Sequence, residues 1–226
     1  LELHDQGLAG PGRDTPEQPG VIFTRAINWS PLVVIPPLVG QPPHLPPGRY
    51  RAALDEVLER FVDGFPGSST RREIWDGFVA YLRIWADIEE RMRPHLGDDA
   101  LLSVVWLAGS FISEKLDPHN LDLSVMVGYD AIQKCKGKPG AKKLVELANR
   151  EKMLKQFRLS PILIRYRYVQ SPFRLQNLAP GPELDYALNR GAFDDFWQRT
   201  RPVGEPKGPP TKESGALSRG YLEVEV

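Results

Sequence analysis

One cysteine, Cys135, stands among 226 residues. No intrachain disulfide can form, and a reducing compartment is the expected environment. No apolar run approaches the ~18 residues of a membrane-crossing helix. Charge of one sign is also missing: 29 basic and 29 acidic side chains cancel. That excludes a global attraction to nucleic acid or anionic membrane, so any such binding must come from a local patch. His4, His44, His95 and His119 are scattered without zinc-ligand spacing. Neither a phosphate-binding Gly-x-x-x-x-Gly-Lys-Ser/Thr loop nor a Gly-x-Ser-x-Gly elbow occurs, so P-loop and α/β-hydrolase chemistry drop out. The first twenty residues lack the basic-then-apolar order of a signal peptide. Cytoplasmic placement is the simplest expectation.

What the chain has in quantity is proline, with 22 residues. Residues 1–20 read as a mobile tail. The stretch VIFTRAINWSPLVVIPPLVGQPPHLPPG reads as a Pro-rich arm with one extended segment at Leu32–Ile35. An arm of this kind packs across its own domain or onto a neighbour. Beyond it, residues 49–65 carry Leu54, Val57, Leu58 and Phe61 at helical spacing. A second, longer helix opens at SSTRRE with Thr70 and Glu73 at capping-box spacing, and should end near Pro94. Its apolar face includes Ile74, Phe78, Tyr81, Trp85, Ile88 and Met92. Trp75 and Trp85 could stack on bases, but core packing is the commoner use of such positions.

LLSVVWLAG (101–109) and LDLSVMV (121–127) read as buried strands. In the second, Asp122, Ser124 and Met126 share one face and Leu121, Leu123, Val125 and Val127 the other. Residues 137–157 predict a basic helix with Leu144, Val145 and Ala148 inward. Residues 160–173 predict a third strand, and 183–201 a helix bent at Gly191. The terminal YLEVEV predicts an edge strand. The expected class is α+β, a mixed sheet flanked by helices. The expected segments are a tail and arm (1–45), one principal domain (46–201) and a flexible C-terminal tail (202–226).

The chemistry concentrates in WLAGSFISEKLDPHNLDLSVMV (106–127). A Gly-Ser pair leaving a buried strand lets backbone N–H groups approach a phosphate, with the Ser110 hydroxyl as a further donor. Magnesium prefers oxygen ligands and is usually held by one or two carboxylates plus the nucleotide's phosphates. Two acids at i and i+2 on a strand would face it together. Here Asp122 is the only acid of that pair, because position 120 is Asn. Asp117 could swing in from the loop. A third acid is expected from the next strand, yet its candidate positions read Ile164, Arg165, Tyr166 and Arg167. Arg165-Tyr166-Arg167-Tyr168 alternates cation and ring as a strand that stacks on single-stranded nucleic acid would.

The stretch resembles the polymerase-beta-type nucleotidyltransferase superfamily. More narrowly, it resembles a bacterial nucleotidyltransferase-like family of unknown function reading Gly-Ser-Phe-x-Thr-x-Lys-x-x-Pro-x-Asp-Ile-Asp. Gly109, Ser110, Phe111, Lys115, Pro118 and Asp122 match; Ser113 replaces the Thr and Asn120 the first Asp. Upstream, the Ile-Pro segment, Leu-Pro-Pro-Gly and Arg71-Arg72 resemble the same family, so the likeness spans about residues 34–128. The resemblance implies a nucleotidyltransferase fold. It also implies a nucleotide (NTP) site at Gly109, Ser110 and Lys115, with Asp122 and Asn120, weakly joined by Asp117, at the Mg²⁺ position. Relatives at superfamily level act in toxin–antitoxin or defence systems.

With a carboxylate missing, the preferred expectation is a degenerate transferase, a pseudoenzyme acting by binding nucleotide, RNA or a protein partner. Residues 21–48 and the C-terminal tail are the expected surface for a partner or for self-association. One alternative is an active Mg²⁺-dependent enzyme moving NMP from NTP to RNA, protein or a small molecule. Another is a structural subunit of a larger assembly.

Overall fold

The computed structural model describes residues 35–200 and 218–226. Residues 1–34, which hold all of the expected extended segment but Ile35, and residues 201–217 lie outside that description. In chain order the elements are strand β1 (Gly48–Arg51), helix α1 (Leu54–Leu58) with a π turn over Glu59–Asp63, and helix α2 (Arg71–Leu96). Strand β2 (Leu102–Ala108), a 3-10 turn (Gly109–Ile112) and strand β3 (Leu121–Gly128) follow. Then come helices α3 (Tyr129–Cys135), α4 (Lys142–Leu147) and α5 (Arg150–Phe157), and strand β4 (Leu159–Tyr166). A 3-10 turn (Pro172–Asn177), helix α6 (Pro182–Gln198) and strand β5 (Gly220–Glu225) complete the chain. This is an α+β fold on one mixed sheet of order β1-β5-β2-β3-β4. β2 runs antiparallel to β3 and β5, while β1 pairs parallel with β5 and β4 parallel with β3.

Alternation along β3 places its side chains as its pattern requires. Leu121, Leu123, Val125 and Val127 join the large core beneath α2, with Phe78, Tyr81 and Trp85. Met126 enters a smaller core with Trp106, Ile164, Tyr186, Trp197 and Tyr221 on the face covered by α6. There Trp197 Nε1 donates to Ser124 Oγ at 2.8 Å, satisfying both buried groups. Trp75 and Trp85 are core residues.

Several expectations are corrected. Arg49, Tyr50 and Arg51 form a strand rather than a helix start: Pro46 and Pro47 extend the backbone, and the edge of β5 offers a ladder. YLEVEV is consequently interior, between β1 and β2. Helix α2 passes Pro94 and stops at Gly97, whose φ of 64° ends it. Thr70 makes no capping bond; Asp117 takes that end of the helix instead, accepting from Ser69 N at 2.7 Å. The basic helix splits at Ala148–Asn149, where Asn149 caps α5 by accepting from Lys152 N at 2.9 Å. Val145 is therefore 75% exposed, Ala148 is exposed, and Leu147 and Met153 point inward. Helix α6 runs through Gly191 unbroken. Cys135 is buried. No described helix is long and apolar enough to cross a membrane.

The described part of the Pro-rich arm lies on its own domain. Val39 and His44 exchange backbone hydrogen bonds of 2.7 and 2.9 Å, and Glu114 N donates to Pro43 O at 3.2 Å. The arm thereby borders the turn that follows β2.

Candidate functional site

Strand registry assembles a cluster at one end of the sheet. Ala108 is opposite Asp122 on β3, and Asp122 is opposite Ser160 on β4. Gly109 turns the chain out of β2 with φ of 76°. A Cβ built there would meet Asp122 Oδ2 at 2.2 Å, so the carboxylate lies directly over the glycine. Any larger residue would collide with it. Ser110, half-buried, follows at once, and its carbonyl accepts from Ser113 Oγ at 2.7 Å.

Asp122 is short of water. Burial pushes its carboxyl above the ordinary carboxylate range, against opposing hydrogen bonds from Asn120 and Ser160 and the charges of Arg219 and Arg150. Asn120 Nδ2 donates to Asp122 Oδ1 at 2.9 Å. A carboxylate only accepts, so the amide must present its nitrogen here. Ser160 is buried, and Arg150 Nε donates to its hydroxyl at 2.6 Å from the first residue of α5. Arg219, just before β5, has Nε on Trp197 O at 2.9 Å. It also acts on His44, whose imidazole is held below its ordinary value first by burial and then by that positive charge. His44 Nδ1 is buried and without a hydrogen-bond partner.

The loop between β2 and β3 is held by a different charge. Arg71, 1% exposed, sends all its donors to backbone carbonyls. Nη1 reaches Phe61 and Phe111 (both 2.7 Å), Nη2 reaches Ser113 (2.8 Å) and Lys115 (2.6 Å), and Nε reaches Leu116 (3.2 Å). Its guanidinium also stacks 3.8 Å from the Phe65 ring centroid. Burial lowers its pKa to about 10, with Asp117 opposing. The Gly-Ser-Phe turn is thus fixed from behind by a buried cation.

The expected site residues separate on this frame. Gly109, Asn120 and Asp122 come together, and Ser110 follows Gly109 in the turn. Lys115 is anchored through its carbonyl while its side chain is exposed. Asp117 Oδ1 already accepts from Ser68 Oγ, Ser69 Oγ and Ser69 N, so its lone pairs serve α2. On β4 the residue beside Asp122 is Ser160, not one of residues 164–167. Asp194 accepts from Tyr221 OH, and Asp195 is paired with Arg199. Arg150, Ser160, Arg219 and His44 were not singled out in the sequence as site residues. Only the parallel β3–β4 pairing and the return of β5 could have found the first three.

This donor set does not match magnesium. It offers one carboxylate, an amide turned nitrogen-first, and two guanidinium groups that repel a cation. No group of three or more His, Cys, Asp or Glu suited to a metal occurs among the described residues. The groups here whose chemistry suits an anion are the backbone N–H groups of the Gly109 turn and the two arginines.

The fold defines an α+β protein with this polar cluster at the strand ends. Residues 37–211 match the model of a family of unknown function (DUF6932), and the chain belongs to that family. No curated protein and no solved structure matches it.

Proposed function

We propose that this protein is a nucleotidyltransferase-like fold that works by binding the phosphates of a nucleotide at the Gly109–Asp122 cluster, without carboxylate-held magnesium. One observation carries the reading: Arg150 bonds Ser160, the residue opposite Asp122 on β4, and so brings a cation to the place where a metal-dependent transferase needs further acids. Charge-assisted hydrogen bonds from guanidinium to phosphate are strong and tolerate the absence of a metal. The Gly-Ser turn motif supports a nucleotide as the phosphate carrier. Cytoplasmic placement belongs to the same proposal, resting on the single unbridged cysteine.

Calorimetric titration with ATP, in EDTA and then in Mg²⁺, tests this. Binding is expected to persist in EDTA and to weaken about tenfold or more in Arg150→Ala, the loss of one charge-assisted bond. Asp122→Asn removes a negative charge facing the phosphates and should tighten binding. Absence of binding overturns the proposal. So does binding that needs Mg²⁺ and disappears in Asp122→Asn, which would mark a working metal site.

A further inference from the structure

A second region on the α6-covered face has the chemistry of a binding site and plays no part in the Gly109–Asp122 cluster. An open cleft of about 750 Å³ lies between α6, the end of β4 and β1. That volume falls within the range of ligand-binding clefts. Arg49, Arg167 and Arg190 line it together with Tyr166, Tyr168 and Tyr186. Asp194 is the only acid among its lining residues, and its carboxylate is already engaged by Tyr221 OH.

Two of the cations are positioned from behind. Arg167 Nε donates to Glu183 at 2.9 Å and Nη1 is paired with Asp130, which leaves Nη2 for a ligand. Arg49 meets Glu223 at 3.4 Å and lies 5.8 Å from the Trp106 ring. Each guanidinium carries five N–H donors, so these pairings do not exhaust it. Arg190 is exposed on α6 and is bonded to the Tyr186 hydroxyl at 3.2 Å, with no carboxylate partner among the described residues.

The rings are equally telling. Tyr186 is buried and packs edge-on against Tyr166 at 5.1 Å, as a core ring does. Tyr168, which lines the cleft, is 70% exposed. The exposed rings of Tyr168 and Tyr166 beside arginines, on an open cleft, suit a polymer whose bases stack and whose backbone is anionic. They suit an enclosed small molecule less well.

We infer that this cleft binds single-stranded nucleic acid, with bases stacked on Tyr168 and phosphates on Arg190, Arg167 and Arg49. The inference is independent of the nucleotide reading at Asp122.

Fluorescence anisotropy of the full chain with a labelled oligo(dT) or oligo(U) of about twelve nucleotides, within the span a single-strand groove covers, tests it. Binding should weaken steeply with salt and exceed that of a duplex of equal length. Tyr168→Ala and Arg190→Ala should each lower affinity about tenfold, while Tyr168→Phe, which keeps the ring, should bind as the parent does. Both positions are exposed, and unchanged circular dichroism and melting confirm that the variants fold. No binding, equal affinity for duplex, or binding indifferent to both alanine substitutions overturns the inference. A protein that bound no strand yet captured a protein partner through Tyr168 and Arg190 would overturn it as well.

Discussion

Two charged side chains border the turn after β2, and the protein treats them in opposite ways. Behind the turn, Arg71 is buried with five donors aimed at five carbonyls, so every N–H···O its geometry allows is made. In front of it, Asp122 is half-buried against Gly109, with one amide and one hydroxyl to accept from and two guanidinium groups nearby. The first arrangement has no capacity left for a ligand. The second holds a charge whose desolvation is incompletely compensated, beside cations that a ligand's phosphates could engage. Full satisfaction marks the structural side of the loop, and incomplete satisfaction the side where binding can be strengthened.

The largest expected effect is on the structural side. Arg71→Ala removes a buried cation and leaves five carbonyls without donors, so it should cost about 3–5 kcal/mol in denaturant unfolding. Arg71→Lys restores the charge but not the planar fork, and its cost should remain above about 1 kcal/mol. A variant that unfolds at the parent's denaturant midpoint would show that the loop holds itself.

Gly109 couples the two sides and comes next. Gly109→Ala places a methyl in the left-handed region and against Asp122 Oδ2. The single substitution should cost about 2–4 kcal/mol, from backbone strain and overpacking together. In an Asp122→Ala background the carboxylate is gone and only the Cβ at position 122 remains, 3.1 Å away, so the cost should fall toward the backbone term of about 1–2 kcal/mol. Strict additivity in that double-mutant cycle would mean that carboxylate and glycine are not in contact.

The contrast between Arg71 and Asp122 also explains what was readable in the sequence. The faces of β3 follow from period-two alternation, a local property, and they hold down to Ser124 and Met126. The Gly-Ser turn and Asp122 were visible because they lie within one short stretch. Arg150, Ser160 and Arg219 were not, because they reach the site through the β3–β4 and β1–β5–β2 pairings, and local pattern does not report strand order. The same blindness hid β1: residues 49–51 read as a helix start until the return of β5 gives them a strand to pair with. Asp117 misled for a related reason. Its proximity to Asp122 in sequence suggested a ligand, while its oxygens answer the exposed N-terminus of α2, 48 residues away from it at Ser69.

The smallest effect is the one that tests the incompletely satisfied side directly, through pH. The folded-state pKa of Asp122 is raised by burial above its ordinary value of 3.8. Between those two values the folded chain holds more protons than the unfolded one, so this group's contribution makes stability fall as pH rises through that window. Asp122→Asn removes the titration while its side-chain oxygen can still accept from Asn120. The variant should therefore melt at a higher temperature than the parent at pH 7, and the difference should close as the pH falls toward 3.8 and the parent's carboxyl is protonated in both states. The same substitution on an ordinary surface acid gives no such pH-dependent gain. If instead the variant is less stable at pH 7, Arg150 and Arg219 outweigh desolvation. The carboxylate would then be the anchor of an ion network, as fully satisfied as Arg71, and the distinction between the two sides of the loop would be lost.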